Sequence, residues 1–133
     1  MTKIQLTSPQ LPKPTGQFSQ ATAIQASGTF VFVSGMTPRA LDGGIVAVGD
    51  VEGQTHQVCE NIRAAMEAAG GSLDDVCRLD VYVRNMEHFP VIHKVRGEYF
   101  KAPLPSSTMV EVSKFVHPDI LIEITAVGVV PPR

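Results

Sequence analysis

Two glutamates interrupt runs that are otherwise apolar. Glu123 falls within Leu121-Ile122-Glu123-Ile124, and Glu111 falls within Val110-Glu111-Val112. Side chains of an extended strand alternate between its two faces, so Glu123 shares a face with Leu121 and Thr125, opposite Ile122 and Ile124. A carboxylate so placed is either turned to solvent or aimed into a cleft, where it can hold a water and take its proton. Glu111 poses the same alternative. His93 and Arg96 stand three residues apart in a segment of helical spacing and are neighbours there. They form either a solvated helix face or part of a site. Arg39 follows the strand end Ser34-Gly35 and is either an exposed loop cation or a cleft residue.

Other chemistries find less support. The four histidines are scattered, with no pair at i, i+4 beside a carboxylate, so no metal set is indicated. Asp42-Gly43-Gly44 lacks the strand, helix and lysine of a phosphate-binding loop. Ser34-Gly35 lacks the leading Gly-x of a nucleophile elbow. Cys59 and Cys77 lie among apolar neighbours in different elements and read as two buried free thiols, not as a disulfide or a zinc site.

The elements that must position these residues are marked by period and punctuation. Ile4 to Leu6 reads as a short edge strand, and Ser8 to Gly16, with three prolines, as a loop. Gln17 to Ala26 alternates as a strand, Thr29 to Val33 is a β-branched and aromatic strand, and Gly28 between them suggests a hairpin. Thr37 to Gly49 is a long loop. Val58, Ile62, Ala65, Met66 and Ala69 recur at helical spacing, with Asp50 as N-cap and Gly70-Gly71 as the stop. Val76 to Val83 is a strand. Phe89 to Phe100 is a second helix with Pro90 in its first turn and Asn85 or His88 near its start. Strands follow at Thr108 to Val112 and Leu121 to Val130, joined through the turn His117-Pro118-Asp119, and Pro131-Pro132-Arg133 stops the last one.

The order β-β-β-α-β-α-β-β predicts one α+β domain over residues 1–133, with both helices on one face of a six-stranded sheet. The opposite face is expected to carry Val31, Val33, Val110 and Val112 or their neighbours, and to need a second copy of the chain as cover. Composition points the same way. Charged residues are only 18% of 133, and apolar residues are 44%. That fits a folded domain with surface hidden in a homo-oligomer, and excludes a disordered acidic chain. The net charge is −2 with no basic run, which disfavours nucleic acid as partner. Met1-Thr2-Lys3-Ile4 has no apolar leader or lipidation signal, and no run approaches the roughly 20 residues of a membrane span. A soluble cytoplasmic protein without a membrane partner is expected.

Several segments together resemble the Rid family, the YjgF-like enamine/imine deaminases. Gly16-Gln17-Phe18-Ser19-Gln20-Ala21 is similar to its Gly-Pro-Tyr-Ser-x-Ala segment, and Val33-Ser34-Gly35 to its Ser-Gly-Gln strand end. Gln57 to Ile62, Ala68 to Val76, and Val81-Tyr82-Val83 through Met86, Phe89 and Tyr99-Phe100 follow in order, and Ile122 to Val127 closes the match. The resemblance implies a chorismate-mutase-like fold and a homotrimer whose sheets line a central barrel, with three clefts between subunits. It implies hydrolysis of a reactive enamine or imine to a carbonyl and ammonia, with no metal and no organic cofactor.

By the same resemblance, Glu123 is the water-positioning glutamate, and Ser34 and Gly35 line the cleft. Phe18 stands where tyrosine is usual, and His93 where asparagine is usual. Pro105-Ser106-Ser107-Thr108 departs from the family's Pro-x-Arg-Ser/Thr, so Ser107 takes the place of the arginine that clamps a substrate carboxylate. Thr108 and the Ser34-Gly35 backbone are then expected to orient the substrate. Phe18 and Met109 give the cleft an apolar wall, and Arg39, Arg96 or His93 are the candidates to replace the lost clamp. On this reading Ser107→Arg recovers some activity toward 2-imino acids, provided that the cleft has room and that Arg39 or Arg96 does not repel the new charge. His117 to Ile124 and Phe30 to Gly35 resemble the branch acting on aminomuconate-type ring-cleavage products. The alternative function is a non-catalytic trimer that binds a small metabolite or regulates. A ribonuclease is a weaker rival, since no basic patch or His/Lys cluster supports it.

Overall fold

The computed structural model describes residues 3–25 and 27–132. Met1, Thr2, Ala26 and Arg133 lie outside them, and with them the reading of the first two residues and the expected strand end at Ala26. Six strands and two helices occur in the expected order: β1 (Ile4–Leu6), β2 (Ala21–Ala23), β3 (Thr29–Met36), α1 (Val51–Ala68), β4 (Val76–Val83), α2 (Phe89–Tyr99), β5 (Ser106–Glu111) and β6 (Ile122–Val130).

Four strands form a mixed sheet in the order β3-β6-β4-β5, with β5 parallel to β4 and the other pairs antiparallel. The parallel pair follows from the crossover through α2, which returns the chain to the same sheet end. The six strands do not make one sheet, because β1 and β2 pair only with each other. The expected hairpin is therefore absent: Gly28 does adopt a positive φ of 103°, but β2 and β3 belong to different sheets. Ala21-Thr22-Ala23 offers little side-chain surface, whereas the long apolar β6 gives β3 a partner along nearly its whole length. The small sheet is pinned to the start of β4, where Lys3 Nζ donates to the Val76 carbonyl at 2.6 Å and Thr22 Oγ1 to that of Cys77 at 2.9 Å.

Asp50 caps α1 by accepting from the Gly53 amide at 3.1 Å, and Gly70, at φ 81°, ends it in the left-handed region. Val58, Ile62 and Met66 of α1 are buried against Leu79, Val81 and Val83 of β4 and Ile122 and Ile124 of β6. Each such isoleucine contributes about 1.5–3 kcal/mol by leaving water. Gly128 of β6 lies under Met66, where a methyl group would overlap Met66 Cε and come 2.9 Å from the Asp75 carbonyl.

Both helices cover the same sheet face. Val33 points into this core and Val31 packs against it, contrary to the expectation that both lie on the open face. Alternation puts Phe30 and Phe32 outward instead, and Phe32 is 77% exposed. Val110 is exposed on the open face, as expected. Among the described residues no helix is long and apolar enough to cross a membrane.

Cys59 is buried, whereas Cys77 is partly exposed and donates to the Val127 carbonyl at 3.3 Å. Burial pushes the Cys59 thiol up to about 12 and raises that of Cys77 as well. The thiolate is the reactive form. At pH 8 the native protein is therefore expected to present no more than one thiol to Ellman's reagent, and both in guanidinium. Two native thiols titrating at one rate contradict this.

Candidate active site

Tyr82 of β4 lies directly opposite Glu123 of β6, and both project from the face that no helix covers. Lys114, Phe115 and Val116, from the chain between β5 and β6, complete a recess of about 300 Å³ around the carboxylate. On the other side of Glu123 runs β3, whose register to β6 shifts between Val33 and Met36. Bulges of this kind re-aim side chains at sites. Gly35 packs against the carboxylate: a Cβ there would overlap Glu123 Oε2 and lie 3.0 Å from Glu123 Cδ, so the Glu123 side chain would have to move. The carboxylate is half-buried and forms no hydrogen bond or ion pair with another described residue. It is free to accept from water or ligand.

A second recess of about 250 Å³ opens on the helix side of the sheet, between α2, β5 and the proline-rich segment. Ser107 and Met109 face it because β5 alternates, with Ser107 opposite the buried Leu79. Ser19 brings the proline-rich segment down onto the turn before β5. Its amide donates to the Pro105 carbonyl at 3.0 Å, and its hydroxyl donates to the Leu104 carbonyl. Phe18 and Gln17 thereby become one wall. Phe89 and His93 of α2 form another, with ring centroids 5.3 Å apart.

Arg96 closes the floor. It is only 5% exposed, and its Nη2 donates to Ser107 Oγ at 2.9 Å. Its Nε is buried and has no hydrogen-bond partner among the described residues, and no carboxylate there lies within ion-pair distance. Burial holds its guanidinium below the usual arginine range. A cation this deep with one neutral partner costs roughly several kcal/mol. The solvated helix face is thus excluded for Arg96. The small side chain of Ser107 leaves room for it to turn inward.

The predicted site residues separate into groups. Phe18, His93, Arg96, Ser107 and Met109 meet in the second recess. Glu123 and Gly35 meet on the other side of the sheet, and Ser34, exposed, precedes Gly35 in β3. Thr108 shares the Glu123 face but lies two strands away, roughly 10 Å, and accepts from Arg78 Nη2 at 2.7 Å. Within one chain it is not a neighbour of Glu123. Arg39 joins neither recess, since its guanidinium donates to the Gly43 carbonyl of its own loop at 2.8 Å. Glu111 accepts from the Met86 amide at 2.8 Å, ahead of α2, and is a structural acceptor. Ser107→Arg no longer reads as a restoration, because the new guanidinium would meet that of Arg96.

Sequence reasoning missed Tyr82, Lys114, Gln17 and Phe89. Arg78, Asp80 and Tyr82 alternate with the buried Leu79, Val81 and Val83, but only the register shows that Tyr82 meets Glu123. Lys114 stands in a segment with no period, which offers no signal.

The family model described as Endoribonuclease L-PSP matches residues 8–130. A RutC family protein of Pyrococcus horikoshii is 44% identical over 117 residues, covering 88% of this chain and 90% of its own. The 3-aminoacrylate deaminase RutC of Acinetobacter baylyi is 37% identical over 117 residues, with the same coverage of 88% and 90%. A crystal structure of a Yersinia pestis protein, described as of unknown function in the conserved Rid protein family, superposes with a TM-score of 0.88 at 27% identity. The alignment covers 98% of this chain and 100% of that one. With sequence and fold agreeing from Ser8 to Val130, the chain belongs to the Rid family, the family described as Endoribonuclease L-PSP.

Proposed function

We propose that this chain is a hydrolytic deaminase of a reactive enamine or imine, and that Glu123 is its general base. The observation that carries the reading is the uncommitted Glu123 carboxylate in a recess, close against Gly35, where a Cβ would displace it. The relationship to a 3-aminoacrylate deaminase supports the reaction class. An enamine tautomerises to an imine, whose protonated form is electrophilic at carbon. Glu123 takes a proton from water as the oxygen bonds to that carbon. The resulting carbinolamine receives a proton on nitrogen, the C–N bond breaks, and carbonyl and ammonia leave. Water is consumed and the carboxylate is regenerated. Holding the water in line supplies much of the rate.

The two recesses lie on opposite faces of one sheet, so a single chain does not join them. A homotrimer, with the open face carrying Phe30 and Phe32 turned inward, lets one subunit's Glu123 recess meet the next subunit's Arg96 recess. An aminomuconate-type ring-cleavage product is the finer substrate reading. The test is ammonia release from 3-aminoacrylate, 2-iminopropanoate and 2-aminomuconate, each generated in place. Acceleration over the spontaneous rate is expected for at least one. No acceleration of any leaves the non-catalytic binding trimer in its place.

A further inference from the structure

We propose that Arg96 and Ser107 form the anion subsite of this protein, and that the anion is a single carboxylate on a flat, unsaturated hydrocarbon. The inference deepens the deaminase reading and rests on it for the identity of the reaction, though not for the binding itself. Arg96 carries the positive charge in from α2, and Ser107 lies where β5 presents a small side chain. Serine accepts from Arg96 Nη2, which leaves its hydroxyl hydrogen to donate into the recess. The guanidinium polarises that hydroxyl and strengthens it as a donor.

The pair offers one fixed charge and one neutral donor side by side. That matches the two oxygens and one charge of a carboxylate. A phosphate dianion brings a second negative charge that this floor does not balance. The unpartnered Nε and the absence of a nearby carboxylate, among the described residues, mean that the protein itself does not neutralise this charge. An incoming anion does. The walls define the rest of the ligand. Phe18, Phe89 and Met109 are apolar, and the tilted Phe89–His93 rings present surfaces suited to a planar π-system. The recess, about 250 Å³, admits a short conjugated acid.

The experiment is calorimetric titration of the full chain with crotonate, a planar unsaturated carboxylate, beside crotonamide, its neutral counterpart, and inorganic phosphate. Crotonate is expected to bind at least tenfold more tightly than either. Arg96→Gln is expected to weaken crotonate about tenfold to a hundredfold, the scale of a charge-assisted hydrogen bond. Ser107→Ala is expected to weaken it less. Arg96→Met is expected to melt higher than wild type without ligand, because an unbalanced buried charge is gone. Should Arg96→Gln fail to fold, Arg96→Lys and the acid-to-amide ratio of the wild type decide. Equal binding of acid and amide, tighter binding of phosphate, or crotonate affinity indifferent to Arg96 overturns the subsite. Ammonia release that persists while crotonate ignores Arg96 defeats this inference alone. Arg96-dependent crotonate binding without ammonia release from any enamine defeats the deaminase reading alone.

Discussion

Replacing Glu123 by glutamine is expected to lower turnover about 10²–10⁴-fold, the usual range for losing a general base. The amide has nearly the shape of the carboxylate, so the close fit against Gly35 and the opposition to Tyr82 persist. What disappears is a proton acceptor, since an amide oxygen hydrogen-bonds to water without deprotonating it. Circular dichroism, light scattering and ammonia release on the same preparation check this. Wild-type spectra and wild-type mass beside a collapsed rate are the expected set. A variant that keeps more than a tenth of the rate removes Glu123 from the chemistry.

Gly35→Ala is expected to cost about 10²-fold in kcat through the same carboxylate, although residue 35 bears no reacting group. The added methyl would overlap Glu123 Oε2 and stand 3.3 Å from Cγ. The carboxylate is the free end of a flexible side chain, so it yields before the backbone does. A displacement on the order of 1 Å is enough to cost that factor in a positioned reaction. The melting temperature should change little, since no core contact is lost. The affinity for crotonate should stay close to that of the wild type, because a methyl group at residue 35 brings no charge or donor that competes for the Arg96 guanidinium. A fall in kcat with unchanged crotonate binding separates misplacement from misfolding. An unchanged kcat means that the bulge does not set the position of Glu123.

The elements were legible because their signals are local. Asp50, Gly70 and the spacing of Val58, Ile62 and Met66 define α1 within a few turns of chain. Pairing was not legible, because it is settled at long range. Gly28 makes the turn it advertises, yet β3 takes the distant β6, with Thr29 opposite Val130 and Met36 opposite Ile124, over its neighbour β2. Alternation along β3 showed two faces without showing which is inner. The valine at 33 went in and the phenylalanines at 30 and 32 stayed out. Glu123 could be singled out because a charge in an apolar strand is conspicuous. Arg96 was harder to place. It stands four residues after the buried Ile92 and one after the buried Val95, so helical spacing puts it on the inner face. Its charge argued for solvent. The missing side-chain volume at Ser107 decides the conflict, and that is visible only when α2 and β5 are seen together.

The wall that carries Gln17 and Phe18 is not part of the sheet or the helices. It is a separate stretch of chain laid against α2 and held near its end by Ser19 on Leu104 and Pro105. The recess exists only while that stretch is down, so every affinity measured there is the intrinsic one multiplied by the fraction of molecules in the docked form. Pro9, Pro12 and Pro14 work on that fraction from the undocked side. Each fixes one backbone angle and restricts the residue before it, which leaves the released stretch fewer shapes to wander through. Three residues that touch no ligand thus belong to the thermodynamics of whatever the recess holds.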